Sequence, residues 1–412
     1  MKYFITAVPL FSSDMSVRAY QLRYQDSSKL FGITDDHTML DGIMNSPGLD
    51  IVNNVGIEPF TGGEPLFFPV NPYMILSDFR KDCKIPPRSM ILVIAKDMPL
   101  KEAYFQKCYE LSKTGFKLAI HEMPITHLAS LLYNMAEYVI VSTKDPKYLE
   151  KLSAIRVKYP YLKVAFQDVD DTAAFDSLKR IDGALFDGNF YKVPITQGQG
   201  KISPLKTNAL HLLKLMGGED DAEFDLDEAS DVIQRDASLS ISLLKFINSP
   251  IIGINNKVTS IRNAIALLGQ RETKKWTMAC VTMYVADDKP SELTRIALTR
   301  AKFMENLATA FEMGIHAPSL FLMGLFSLLD VILDKPMKEA LAEVSVSDKI
   351  LEALVYGKGD FFDIITLAEA YERADWKTVS RIMLLRNVDP LKINKAFVDS
   401  LVWYRDLLDN LE

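Results

Sequence analysis

Cysteine is scarce in this sequence, and its distribution excludes two kinds of site. The chain of 412 residues contains 3 cysteines, Cys83, Cys108 and Cys280, which lie far apart and form no Cys-x-x-Cys pair. Disulfide frameworks and zinc knuckles need paired or closely spaced cysteines, so the sequence indicates neither. This usage is typical of a protein kept in a reducing cytosol.

A net positive charge and long apolar runs are also lacking. The formal net charge is −7 and the pI is about 5.5, which gives no general attraction to nucleic acid or to anionic membranes. No uninterrupted apolar run approaches the roughly 20 residues that span a bilayer. The apolar start from Phe4 to Phe11 is broken by Ser12, Ser13 and Asp14, and it lacks the core and cleavage site of a signal peptide. We therefore expect a soluble, cytoplasmic protein.

The first half of the chain alternates strands with helices. Several strand-like runs are continuously apolar, such as Met90 to Ala95, as expected for strands buried on both faces. The strand-like runs are 3–10, 17–24, 65–70, 89–95, 116–120, 138–142, 162–166 and 184–186. Segments with helical spacing lie between the later strands, so the pattern predicts a parallel α/β fold, closed or open. Only a short turn separates the first two strands, which predicts one antiparallel pair.

Near Pro194 the periodicity changes. The segment from Thr196 to Gly200 is polar and contains glycine, which favours a linker. Beyond it the apolar spacing is helical, with the clearest runs at 205–215, 226–235, 239–247, 260–268, 292–311, 319–333, 348–356, 361–373, 376–385 and 391–408. Because single cores usually stop growing at roughly 250–300 residues, two domains are expected. The predicted divisions are a barrel over 1–194, a linker over 195–204 and an all-helical domain over 205–412.

Four segments of the first half resemble the EAL family, bacterial phosphodiesterases that linearise cyclic-di-GMP. Val17–Leu22 resembles the strand with the name-giving Glu-Ala-Leu signature, and Phe67–Asn71 resembles the strand that ends in a metal-binding asparagine. Gly115–Ile120 resembles the approach to a double-aspartate motif, and Gly183–Pro194 resembles the last strand. The resemblance covers residues 1 to about 194. It implies a modified TIM barrel with one antiparallel strand.

The same resemblance implies that the catalytic residues are lost. Active members hold two divalent cations with carboxylates and one asparagine, and these cations activate water and neutralise the phosphate. Asn71 keeps the asparagine, and Glu122 is a conservative substitute for an aspartate. The other positions of the motif fall on Gln21, Gln25, Val93, His121, Ile140, Ser142, Gln167 and Asp187. Amides and aliphatic side chains cannot replace anionic ligands, so we predict no metal, no cofactor and no hydrolysis.

Two alternatives to an empty barrel stay open at this point. Five carboxylates could in principle rebuild a metal site: Asp97, Glu122, Asp168, Asp170 and Asp171. Intact cyclic-di-GMP could also bind without being cut, although Gln25, at the place of the phosphate-gripping arginine, brings no charge to the phosphate. Rim carboxylates are more often solvated loop residues than ligands.

The second half resembles the HDOD domain, a relative of HD-type metal phosphohydrolases. The resemblance rests on Ile233–Leu239, with Ala237 in place of a proline, on Leu243–Pro250 and on Ser260–Gly269. Its signature residues, which we expect to be structural, are Asp236, Asn248, Ser249, Pro250 and Gly269. Asparagine tolerates the left-handed conformation and proline prevents continuation, so Asn248 to Pro250 is typical of a capped helix exit.

A second active site is not expected in this half. The histidine–aspartate dyad of HD enzymes falls on Ser327 and Leu328. Only His211 and His316 occur here, at no metal-binding spacing. HDOD domains as a class lack the dyad, so its absence agrees with the resemblance.

Three functions follow from the sequence. The leading one is a catalytically inactive EAL–HDOD signal-transduction protein that acts by protein–protein contact in a bacterial two-component or cyclic-di-GMP-related pathway. Its expected partner is a histidine kinase, a response regulator or a diguanylate cyclase, and dimerisation through a barrel face stays open. The second is a sensor that binds cyclic-di-GMP or another nucleotide without cutting it. The third is a metal-dependent phosphodiesterase with a rebuilt site.

Overall fold

The computed structural model divides the chain into two compact units. The first comprises residues 1–193 with 372–374, and the second comprises 194–371 and 375–412. The described residues are 3–26, 48–96, 98–192, 204–217, 224–235, 237–248, 253, 257–287 and 289–409. Among the described residues no helix is both long and apolar enough to cross a membrane. The exact domain limits set out above stay a prediction.

The first unit contains a closed eight-stranded barrel in which the strands follow one another in chain order. The strands are β1 (Tyr3–Phe11), β2 (Val17–Asp26), β3 (Leu66–Val70), β4 (Met90–Ile94), β5 (Lys117–His121), β6 (Tyr138–Ser142), β7 (Lys163–Gln167) and β8 (Leu185–Phe186). β1 is antiparallel to both neighbours, β2 and β8, and every other neighbouring pair is parallel. The predicted α/β barrel with one antiparallel strand is confirmed.

A tight turn explains the antiparallel start. The carboxylate of Asp14 accepts hydrogen bonds from the backbone N–H of Ser16 at 3.1 Å and from its hydroxyl at 2.6 Å. Met15 has a φ of 66°, which lets the chain reverse within the turn. β1 and β2 then pair along their whole length, from Tyr3 opposite Asp26 to Phe11 opposite Val17. In contrast, the ladder that closes the barrel between β1 and β8 is the single pair Phe11 and Phe186.

Helices cover the outside of this barrel. They are α1 (Leu49–Val55), α2 (Glu58–Thr61), α3 (Pro72–Leu76), α4 (Phe79–Asp82), α5 (Glu102–Lys113), α6 (His127–Met135), α7 (Tyr148–Lys158) and α8 (Thr172–Leu178). Short 3₁₀ turns lie at Pro87–Ser89 and Phe190–Lys192. Three helices begin at a side-chain cap, in which Asn71, Thr126 and Asp171 accept a backbone hydrogen bond from the third residue that follows.

The barrel interior is a packed apolar core and not a channel. Because side chains alternate across a strand, every second residue points inward. The inward layer consists of Leu10, Ala19, Phe67, Ile91, Val93, Ala119, Ile140, Ala165 and Leu185, with Tyr138 packed against it. Polar side chains lie beyond this layer at both ends: Lys117 and Lys163 pair with Glu137 where the parallel strands begin, and a second polar group lies where they terminate.

The second unit is helical, as predicted. Its helices are α9 (Pro204–Leu215), α10 (Leu226–Gln234), α11 (Ala237–Ile247), α12 (Ile261–Leu268), α13 (Gln270–Val285), α14 (Ser291–Leu307), α15 (Ala317–Phe326), α16 (Leu329–Leu333), α17 (Met337–Ala342), α18 (Asp348–Tyr356), α19 (Phe362–Glu372), α20 (Trp376–Arg386) and α21 (Pro390–Asp409). α14 and α15 approach closely because Gly324 has no side chain: a Cβ there would lie 2.6 Å from the Cα of Ala301.

Candidate functional site

The carboxyl ends of the parallel strands form one mouth of the barrel, which is where TIM-type barrels carry their functional groups. Gln21, His121, Ser142 and Gln167 share the inward face of their strands with the apolar layer, and they lie one step closer to this mouth. Val93 and Ile140 are themselves part of the apolar layer and are 2% exposed. These two predicted positions therefore lie inside the core and offer no polar group to a ligand.

Two glutamines bridge the mouth between β2 and β7. The amide nitrogen of Gln167 donates a hydrogen bond to the side-chain oxygen of Gln21 at 2.8 Å. Gln21 is buried. A carboxylate at both places would repel its neighbour, whereas two amides satisfy one another as donor and acceptor. The two positions predicted to have lost their charge thus form a neutral hydrogen-bonded pair.

A buried ion pair lies beside the amides. Asp187 is 6% exposed, and its carboxylate pairs with the guanidinium of Arg23. Burial raises the pKa of Asp187 to about 6, although the positive charge of Arg23 opposes the rise. The resemblance predicted the phosphate-binding position at Gln25. In the structure, the cation of β2 that lies at the mouth is Arg23. Arg23 was missed, although it lies two residues after Gln21 and so shares its face of the strand.

A second carboxylate of the mouth is also paired. Asp168 accepts hydrogen bonds from the hydroxyl of Ser142 at 2.6 Å and from the ammonium of Lys144 at 2.7 Å. Burial pushes the pKa of Asp168 up, but the hydrogen bonds from Lys144 and Ser142 outweigh it and hold that pKa below its usual value. The hydroxyl of Thr143 donates to the backbone oxygen of Asp168 at 2.7 Å, which fixes the loop after β7. Lys144 is the second cation that the sequence pattern did not reveal.

His121 and Glu122 do not act together. Burial and the nearby Lys96 lower the pKa of His121 to about 4, so its imidazole is neutral at neutral pH. Consecutive residues at a strand end point to opposite sides. Glu122 accordingly reaches the ammonium of Lys151 on α7 at 3.4 Å, on the outside of the barrel. Its Oε2 atom is buried and accepts no hydrogen bond within the described part of the chain.

Asn71, which keeps the residue type of the metal-binding asparagine, caps a helix. Its side-chain oxygen accepts a hydrogen bond from the backbone N–H of Met74 at 2.9 Å, at the start of α3. That oxygen is the atom an asparagine offers to a cation. Its hydrogen bond to the helix start competes with a role as a ligand.

The donor set does not fit the two divalent cations implied by the EAL resemblance. Hard cations prefer several anionic oxygens. Of the carboxylates named for a rebuilt site, Asp168 is paired with Lys144, Asp170 accepts from Asn189 at 3.1 Å, and Asp171 caps α8. Asp97 lies outside the described residues. Within those residues, no three histidine, cysteine, aspartate or glutamate side chains lie close enough to hold a metal ion.

In the second unit, a buried arginine contacts Ser327, one of the two positions predicted for the HD dyad. The guanidinium of Arg300 donates to the hydroxyl of Ser327 at 2.7 Å and pairs with Glu369 at 3.2 Å. Arg300 is 2% exposed and Leu328 is buried in the core. Burial also raises the pKa of the neighbouring Asp330. In the described part of the second unit, the guanidinium of Arg300 thus occupies this place and no histidine contacts it.

Asn248 of the HDOD signature joins two segments of the backbone. Its side-chain nitrogen donates to the carbonyl oxygens of Leu244 at 2.7 Å and Val258 at 2.8 Å, and its side-chain oxygen accepts from the N–H of Val258 at 2.7 Å. Gly269 has a φ of 81° just before α13. The other signature residues, Asp236, Ser249 and Pro250, lie outside the described residues.

Comparisons with known proteins found a family model and a solved structure that each match part of the chain. Residues 204–349 match the family model of the HDOD domain. An EAL domain protein from Listeria monocytogenes EGD-e of known structure is 13% identical, with a TM-score of 0.35, and the match covers 46% of this chain and 87% of that one.

Two relatives are similar to this protein over most of the chain. YuxH from Bacillus subtilis strain 168 is 26% identical over 421 residues, covering 99% of this chain and 100% of YuxH. A Vibrio cholerae protein named cyclic di-GMP phosphodiesterase CdgJ is 24% identical over 326 residues, covering 78% of this chain and 75% of CdgJ. The family model supports an HDOD domain at 204–349, and the similarity to YuxH extends over both units.

Proposed function

We propose that this chain is a non-catalytic EAL–HDOD signalling protein of a cyclic-di-GMP-related or two-component pathway, and that it acts through contacts with other proteins. The pathway is suggested by CdgJ, whose name states that it is a cyclic di-GMP phosphodiesterase. The expected partner is a histidine kinase, a response regulator or a diguanylate cyclase.

One observation carries the proposal: the mouth of the barrel is neutralised by its own side chains. Asp187 pairs with Arg23 and Asp168 pairs with Lys144, while Gln21 bonds to an amide. A divalent cation would have to displace a cation of the protein from each carboxylate, at the cost of leaving that charge unpaired. Loss of a single general acid or base already lowers rates by roughly 10²–10⁴, and here the metal ligands are replaced as well.

The decisive experiment measures cyclic-di-GMP hydrolysis at high protein concentration with Mg²⁺ or Mn²⁺, with CdgJ as the positive control. We expect no linear product and no saturable binding of Mn²⁺ by calorimetry. Metal-dependent turnover that Glu122→Ala abolishes would establish a working hydrolase and refute the proposal. The variant Arg156→Ala, which alters an exposed side chain of α7, is the matched control.

A nucleotide sensor is the second candidate, and the cations of the mouth favour it. Lys144 is largely exposed and Arg23 is about one-third exposed, so an anionic ligand could reach both. Titration with cyclic-di-GMP in the presence of a metal chelator separates the two functions. Micromolar binding that weakens at least about tenfold in Arg23→Gln would favour the sensor. An absence of binding would favour action through protein contact alone.

A further inference from the structure

Helix α20 has one buried face, and its exposed face carries leucines as well as cations. Val379, Ile382 and Met383 form the buried face and lie in the core of the second unit. Residues four and seven or eight apart share one side of a helix. Lys377, Arg381, Leu384 and Leu385 have this spacing and are all exposed. The exposed side therefore combines two cations with two adjacent leucines.

Two more exposed residues follow at the start of α21, close in sequence to the end of α20. Leu391 and Lys392 are exposed just after the turn that ends α20. Leu384, Leu385 and Leu391 are 64%, 65% and 52% exposed. Single exposed leucines are ordinary, but adjacent exposed leucines beside two cations, as on α20, are the kind of apolar surface that marks interaction sites. We call the six side chains the basic leucine face: Lys377, Arg381, Leu384, Leu385, Leu391 and Lys392.

The charge of this region is opposite to that of the whole chain. Residues 376–398 contain five lysines and arginines but one acidic residue, Asp389, in a chain whose net charge is −7. Arg386 and Lys395 are paired with Asp363 and Asp399. Among the described residues, no ion pair joins Lys377, Arg381 or Lys392 to a carboxylate. The cations of the basic leucine face thus keep their charge available to a partner.

We propose that the basic leucine face binds an acidic amphipathic helix of a partner protein. Leucines of the face would bury the apolar stripe of such a helix, and the flanking lysines and arginine would pair with its acidic residues, which steer association. The face lies beyond residues 204–349, the part that matches the HDOD model. This inference rests on the proposed function, action through protein contact, and it locates that contact at the basic leucine face.

The test measures binding of a labelled designed peptide to the full chain by fluorescence anisotropy. The peptide is a helix of about five turns with a leucine stripe flanked by glutamates, and a second peptide carries lysines in place of the glutamates. We expect the acidic peptide to bind at least about tenfold more tightly than the basic one, with an affinity that falls as salt rises. Arg381→Glu with Leu385→Ser should weaken it by a further factor of about ten or more.

A matched control lies on the barrel. Arg156→Glu with Val157→Ser makes the same two kinds of change on α7, where Val157 is 84% exposed, and should leave peptide binding unchanged. Circular dichroism checks that both double variants are folded. Equal binding of the two peptides, no binding of either, or equal losses in both double variants would overturn the inference.

Two other occupants are separate outcomes of the same set of measurements. Binding to phosphatidylglycerol vesicles but not to the acidic peptide would make the face a membrane surface. A dimer in sedimentation that Leu385→Ser dissociates, without peptide binding, would make the occupant a second copy. Either result overturns the inference. Because no cyclic dinucleotide or metal is present, failure here leaves the proposed function intact, whereas hydrolysis in the earlier assay refutes that function whatever the peptides do.

Discussion

Neutralising Asp187 is the sharpest test of the charge balance at the barrel mouth. The substitution Asp187→Asn keeps the shape and removes the ionisable group. Burial raises the pKa of Asp187 from 3.8 to about 6 in the folded protein. Because this folded-state pKa lies above the unfolded value, the contribution of Asp187 to stability is fully present below pH 3.8. It is lost as the pH rises through about 6.

The size of the effect follows from the two pKa values. A difference of about two pH units corresponds to about 3 kcal/mol in the free energy of unfolding. About 2 kcal/mol of this should be lost between pH 4.5 and pH 8, because part of the titration lies below that window. As the pH rises over this range, the free energy of unfolding of the wild-type barrel should therefore fall by about 2 kcal/mol relative to that of Asp187→Asn. In Arg23→Gln the loss should be larger, since the guanidinium no longer favours the carboxylate.

Urea unfolding followed by far-UV circular dichroism at several pH values measures the difference. The three tryptophans, Trp276, Trp376 and Trp403, all lie beyond the barrel. Tryptophan fluorescence therefore reports the helical unit and is an internal control that should not change with the substitution. A wild-type-to-variant difference that stays constant from pH 4.5 to pH 8 would refute the reasoning about Asp187.

Three further substitutions test the helical unit. Arg300→Gln should lower the free energy of unfolding by about 3 kcal/mol in urea titrations, since it removes a buried cation from its hydrogen-bonded partners. The loss should not be larger, because the carboxylate of Glu369 is partly exposed and water can solvate it. A loss below about 1 kcal/mol would contradict a structural role for that cation. Gly324→Ala should cost about 2 kcal/mol or more and lower the calorimetric Tm, because the new Cβ meets the backbone of Ala301. Asn248→Ala should cost about 2–3 kcal/mol for three lost hydrogen bonds, and an unchanged Tm would speak against this junction.

The barrel was predictable because its strands are buried on both faces. A run such as Met90–Ile94, apolar throughout and buried throughout, has few alternatives to a central parallel strand. The short turn around Asp14 likewise indicated the antiparallel start. The charge pairs at the mouth were not predictable in the same way. Arg23 and Asp187 are 164 residues apart, and only barrel closure brings them together.

Helix α13 shows what periodicity misses. Gln270–Val285 was not among the helical runs predicted from periodicity, and lysines and threonines interrupt its apolar spacing. In the structure those residues are buried with the rest of the helix. The ammonium of Lys275 lies 2.8 Å from Glu305 and 4.4 Å from the ring centre of Trp276, and these contacts offset its burial. From the sequence alone, a lysine such as Lys275 is assigned to the surface, because the partners that allow its burial lie on other parts of the chain or beside it only in the folded helix.

The closure of the barrel by one residue pair between β1 and β8 makes its stability depend on temperature. Phe11 meets Phe186 in the ladder, but its ring also lies 5.5 Å from the ring of Phe190 and 4.4 Å from that of Tyr191. Aromatic contact, more than backbone hydrogen bonding, therefore holds the two ends of the sheet together. Such contact weakens on cooling, whereas the long β1–β2 ladder depends on it much less. On cooling, the barrel should therefore open first between β1 and β8.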